Sequence, residues 1–120
     1  MEIKIYHNPA CGTSRKVLAA LREAGYEPQV VEYLKNPPNR ASLKDILRRM
    51  GKSARDILRK RGTPYEELGL DNPALSDDEI FAAIEKHPIL IERPIVTIGD
   101  KAALCRPAEV VQELIARAKK

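Results

Sequence analysis

The sequence has few aromatic residues, few cysteines and no long apolar run, and each shortage excludes something. Aromatics make up 4% of the 120 residues, and no lysine- and arginine-rich block is interleaved with the stacking side chains by which single-stranded nucleic acid is gripped. Nucleic acid is therefore not an expected partner, and the formal charge of +4 needs explaining residue by residue. Two cysteines, Cys11 and Cys105, make no disulfide framework. Neither sits in C-x-x-C or beside a histidine pair at metal-ligand spacing, so no metal is expected. The apolar runs fall far short of a bilayer's width, which leaves no expected membrane span. The start "MEIKIYHNP" carries an acid and a strand-like alternation where a secretory signal has a basic start and an apolar stretch. With no N-x-S/T sequon either, a cytoplasmic location is expected.

What is present is a soluble globular composition, 43% hydrophobic and 32% charged, in a chain of ordinary single-domain size. One domain, 1–120, is expected. Ile3 and Ile5 alternate with polar neighbours up to His7, a strand, and "NPACG" supplies the loop after it. Val17, Leu18 and Leu21 share one face of a helix over Thr13–Ala24 that Gly25 ends. "PQVVEYL" reads as a second strand, and strand, helix and strand within about thirty residues imply a right-handed parallel βαβ unit.

A helical tract follows. Leu43, Ile46, Leu47 and Met50 form a stripe ending at Gly51, Ser53 and Asp56 resemble a capping box opening a helix over "ARDILRK", and Ser76 with Glu79 caps another that Pro88 stops. These helices place an insertion at about 38–88. "RPIVTIGDKAALCRP" reads as a hairpin turning at "GDK", where Gly-Asp favours positive φ, and Pro107 takes the first position of a helix buried through Val110, Val111, Leu114 and Ile115. The order βα, helical insertion, ββα is compatible with an α/β, thioredoxin-like fold. There are no internal repeats and no low-complexity segments.

The chemistry concentrates in "YHNPACGTSR", which sets Cys11 at a strand-to-helix junction. A helix N-terminus favours thiolate over thiol, and its unpaired N–H groups can hold an oxyanion. Arg15, one turn on, adds a planar, permanently charged donor fork. Cys11 and Arg15 enclose only Gly12, Thr13 and Ser14, unlike the five-residue phosphatase loop, and the resolving position of a dithiol motif is Ser14. Redox chemistry at Cys11 would thus need an outside thiol or distant Cys105. Ser14 offers a hydroxyl to Cys11 or to an anion. His7 reads equally as a structural residue at a strand end or as a group that supports the thiolate. A free cysteine is commonly a small buried hydrophobe, the reading that fits Cys105; the polar loop around Cys11 argues otherwise. Arg59, Arg93 and Arg106 stand at element ends that could converge on the loop, although a given arginine is usually a solvated charge, and Arg93-Pro94 is a candidate cis bond at a strand start.

The segments "IYHNPACGTSR", "PYEELGL", "HPILIERPIV" and "LCRPAEVV" closely resemble the glutaredoxin-dependent arsenate reductase family over nearly the whole chain. The resemblance implies a thioredoxin-like fold with a mixed four-stranded sheet and a helical insertion between the second and third strands. It implies a cytoplasmic enzyme with no bound cofactor, arsenate as substrate, glutathione as co-substrate and glutaredoxin as partner. Cys11 would attack arsenate, with His7 and Ser14 supporting its ionisation. Arg59, Arg93 and Arg106 match the family's oxyanion-binding triad, Arg15 matches the loop, and Pro94 matches a cis proline beside the active cysteine. In the implied cycle a thiol-arsenate adduct takes up glutathione, glutaredoxin reduces the product, and arsenite leaves. Two further classes stay open: a non-enzymatic thioredoxin-like transcription regulator, against which Ser14 and the arginines weigh, and a thiol enzyme acting on another oxyanion or on mixed disulfides.

Overall fold

The computed structural model describes residues 2–118. In chain order the elements are β1 (Ile3–His7), α1 (Gly12–Glu23), β2 (Gln29–Glu32), α2 (Arg40–Met50), α3 (Asp77–Lys86), β3 (Ile95–Ile98), β4 (Lys101–Leu104) and α4 (Val110–Ala118), with 3-10 turns at Ala54–Ile57 and Pro88–Leu90. They fall into two compact units, one built from residues 1–36 and 93–120 and the other from residues 37–92. No helix among the described residues is long and apolar enough to cross a membrane.

The first unit contains a four-stranded mixed sheet in the order β2-β1-β3-β4, which makes the architecture α/β and thioredoxin-like. β1 pairs parallel with β2, placing His7 opposite Glu32, and antiparallel with β3, placing Tyr6 opposite Ile95. β3 pairs antiparallel with β4. Of the two turn residues only Gly99, at φ 60, has a positive φ, the pattern of a type II′ turn and not a type I′ turn. One face of the sheet packs with α1 and α4 into a core of Ile3, Ile5, Val17, Leu21, Val96, Ile98, Cys105, Val111, Leu114 and Ile115. At about 25 cal/mol per Å² of apolar surface removed from water, such a cluster is the main stabilising term of this unit. β1 also buries Tyr6 on its other face, so the alternation of Ile3 and Ile5 shows only one of its two covered faces.

α1 ends as the sequence predicts: Gly25 adopts φ 91, and the Tyr26 N–H returns to the Leu21 carbonyl at 3.1 Å. α4 starts later than predicted. Pro107 precedes the helix, and bonds from the Val110, Val111 and Gln112 N–H groups each close onto the residue three earlier. That tighter 3-10 turn delays the α-helix to Val110. The Arg93–Pro94 and Arg106–Pro107 peptide bonds are both cis.

In the second unit, the Asn39 side chain caps α2 by accepting the Ser42 N–H at 2.8 Å, and Gly51 at φ 67 closes it. Ser76 and Glu79 form the reciprocal capping box of α3. Arg40 ties the two helices by two bonds to the Glu85 carboxylate, at 2.7 and 3.2 Å. The helix predicted over "ARDILRK" is a single 3-10 turn, although the Asp56 carboxylate does accept from the Ser53 N–H. The turn stops because Leu58 becomes extended and bridges Ile91, with the Arg59 N–H on the Leu90 carbonyl at 2.8 Å and the Glu92 N–H on the Ile57 carbonyl at 2.7 Å. Bridging satisfies backbone groups that a longer helix would have paired internally.

Candidate active site

Cys11 is the N-cap residue of α1, in extended conformation at φ −94, ψ 121. The Asn-Pro turn before it closes when the Cys11 N–H donates to the Asn8 carbonyl at 3.0 Å, and the Arg15 N–H on the Cys11 carbonyl, also at 3.0 Å, begins the helix. The first turn contains no acidic residue, so nothing there offsets the positive end of the helix dipole. Cys11 is partly exposed. Burial is the largest influence on its thiol and raises the pKa, but the Ser14 N–H, the Arg106 guanidinium and the Thr13 N–H together outweigh it and leave the pKa below its ordinary value. These amides act without a side-chain capping bond of standard geometry. The Arg106 Nη1 is 3.8 Å from the Cys11 sulfur and donates to the Arg93 carbonyl at 3.0 Å.

His7 and Ser14 meet beneath the loop. His7 Nδ1 lies 2.6 Å from Ser14 Oγ, and the same oxygen accepts the Asn8 N–H at 3.1 Å. Ser14 is fully buried, and its hydroxyl is spent on His7 and Asn8 while its amide bears on Cys11. His7 is also buried, and burial is the main reason that its pKa lies below the ordinary value; Arg15 and Arg22 add to the shift and Glu32 opposes it. The imidazole is therefore largely neutral at pH 7. His7 holds the floor of the loop rather than placing a positive charge beside the sulfur.

Arg15 does not present its guanidinium as the sequence led one to expect. Its Nη1 donates to the Pro9 carbonyl at 2.8 Å, which ties the loop ahead of Cys11 to the helix after it. Arg93 is 2% exposed, and its Nε donates to the Tyr33 hydroxyl at 2.5 Å. Pro94 follows directly, with its carbonyl accepting the Cys105 N–H at 2.9 Å. Cys105 is buried in the core as predicted, and that burial pushes its pKa up to about 12. Arg59 belongs to the second unit, where Nη1 donates to the Glu92 carboxylate at 2.8 Å and Nε to the Arg61 carbonyl at 3.0 Å. Among the described residues no group of three His, Cys, Asp or Glu side chains is placed to hold a metal ion.

The first unit thus gathers Cys11, His7, Ser14, Arg15, Pro94, Arg93 and Arg106. Two contributors went unnoticed in the sequence, Asn8 and Tyr33. The available signal for Tyr33 was a phenol in a strand rich in β-branched residues, where a buried hydroxyl needs a partner. The arrangement suits a thiolate nucleophile beside a cationic, amide-lined anion cradle.

The family model described as "ArsC family" matches residues 6–114. An arsenate reductase of Rhizobium meliloti (strain 1021) is 53% identical over 115 residues, covering 96% of this chain and 82% of that protein. An arsenate reductase of Escherichia coli (strain K12) is 49% identical over 118 residues, 98% of this chain and 84% of the relative. The solved structure of an arsenate reductase from Vibrio cholerae superposes with a TM-score of 0.89 at 44% identity, over 94% of this chain and 97% of that one. The cysteine at the head of α1, the thioredoxin-like sheet behind it and these matches make this chain a member of the ArsC family.

Proposed function

We propose that this chain is an arsenate reductase in which Cys11 is the nucleophile and external thiols supply the electrons. One observation carries the reading: Cys11 caps α1 with its thiol pKa lowered and with the Arg106 guanidinium 3.8 Å from the sulfur. Thiolate and oxyanion repel each other unless cations and N–H dipoles offset both charges, which is the part given to Arg106, Arg93 and the first turn of α1. For Arg59 the proposal rests on the family pattern alone.

The Cys11 thiolate forms a bond to arsenic(V) and one oxygen leaves as water after protonation. A glutathione thiol displaces a second oxygen in the same way. Glutaredoxin's thiol then attacks the glutathione sulfur, forming a mixed disulfide and passing its bonding pair to arsenic, which becomes arsenic(III). Water releases arsenite and restores Cys11, while a second glutathione resolves the mixed disulfide, so two thiols have supplied two electrons. Cys105 is a poor resolving thiol because its buried sulfur stays protonated. Arsenic(V) is reducible by thiols and phosphorus(V) is not, so chemistry discriminates between anions that arginines bind alike.

The test is arsenate-dependent NADPH oxidation in the presence of glutathione, glutaredoxin and glutathione reductase. Turnover is expected for the wild-type chain and for Cys11 intact in Cys105→Ala, and loss to background for Cys11→Ser. Turnover surviving Cys11→Ser, or none from the folded wild type, would refute the proposal.

A further inference from the structure

Tyr33 has no part in the reactions written above, yet it is fully buried and bonded to one of the site's arginines. It follows β2 directly and is 0% exposed. Its hydroxyl accepts the Arg93 Nε–H at 2.5 Å, and the guanidinium carbon is 5.8 Å from its ring centroid. Burial raises the Tyr33 pKa, while Arg93 and a hydrogen bond from the Asn8 side chain lower it, and the charge of Cys11 raises it.

Arg93 continues to Cys11. The Arg93 carbonyl fixes Arg106, whose guanidinium lies beside the sulfur. A guanidinium bound through Nε keeps its plane, and that plane decides where its terminal donors aim. We infer that Tyr33 is a positioning residue: its hydroxyl sets the orientation of the Arg93 guanidinium, so that bound oxyanion and thiolate share one geometry. This deepens the proposed oxyanion chemistry and rests on Cys11 facing an anion.

The experiment measures alkylation of Cys11 by iodoacetamide, slowed by arsenate or by inorganic phosphate, which occupies the anion site without being reduced. In Tyr33→Phe the concentration of either anion needed for protection is expected to rise about ten- to a hundredfold, the effect of losing one hydrogen bond to a charged group. Arg93→Lys should weaken protection too, and the double variant should be no worse than Arg93→Lys alone, because Tyr33 acts through Arg93. A merely structural tyrosine would give additive losses. Should Tyr33→Phe lack cooperative unfolding, Tyr33→3-fluorotyrosine keeps ring and hydroxyl and weakens the acceptor; a smaller loss of the same sign is expected. Unchanged protection in the variants, additive losses in the cycle, or no protection of the wild type overturns the inference. Protection without arsenate turnover would instead remove the arsenate reductase reading and leave Tyr33's role standing.

Discussion

Cys11 is activated by what surrounds it rather than by a neighbouring base. His7, the one histidine near the loop, is largely neutral and bonded to Ser14, which leaves Arg106 and the amides of Ser14 and Thr13 as the groups that favour the thiolate. Arg106→Ala should therefore raise the Cys11 pKa, read as thiolate absorbance against pH. It should also cost about a hundredfold in arsenate turnover, the scale of losing one donor to a developing anion. Arg15→Ala should leave the titration nearly unmoved, since its Nη1 is bonded to the Pro9 carbonyl. An unchanged titration in Arg106→Ala would show that the helix terminus alone suffices. The sequence made Arg15 look like the anion partner because it is one helical turn from Cys11; only the folded chain shows its Nη1 turned back onto its own loop.

Helix ends were the most legible elements, because caps are local chemistry. The Ser76–Glu79 box and the left-handed Gly51 each work within a few residues. Ser76→Ala should destabilise by about 1 kcal/mol, through loss of the acceptor for the Glu79 N–H. Thermal unfolding should show a midpoint lower by a few degrees and Ser76→Asp should recover it; an unmoved midpoint in Ser76→Ala would mean the cap contributes nothing. The two misread elements share one cause. Ser53 and Asp56 do form a box, but a non-local bridge from Leu58 to Ile91 stops the helix after one turn. Pro107 does stand before a helix, but a 3-10 turn intervenes. Local signals announce a start and do not report what competes for the next backbone groups.

At the scale of the whole molecule, buried titratable groups couple stability to pH. His7 has its pKa depressed below 6.5 in the folded chain, so the unfolded chain binds more protons in that window and stability falls as the pH drops through it. Cys11 acts in the same sense: its depressed pKa contributes stability present in full above its unfolded value of 9.0 and lost as pH falls through the folded value. Cys105, raised to about 12, has the opposite sign, contributing below 9.0 and losing that contribution as pH rises toward 12. Unfolding midpoints should therefore rise from mildly acidic to neutral pH. His7→Asn should flatten the part of that rise below 6.5; a slope below 6.5 untouched by His7→Asn would contradict the assignment.

By itself the sequence determined the βα start, the hairpin, the amphipathic helices and the position of Cys11 at a helix head, because each depends on side-chain periodicity or on groups within a turn of one another. Only the tertiary structure decided what faces the cysteine. Tyr33 and Arg93 are 60 residues apart, and Arg106 and Cys11 are 95 apart. Those pairs exist because the sheet order sets β2, β1, β3 and β4 side by side, so that the ends carrying Tyr33, Cys11, Arg93 and Arg106 share an edge. No local pattern carries that information, since strand order is chosen by the burial of the whole core and not by any segment that contributes to it.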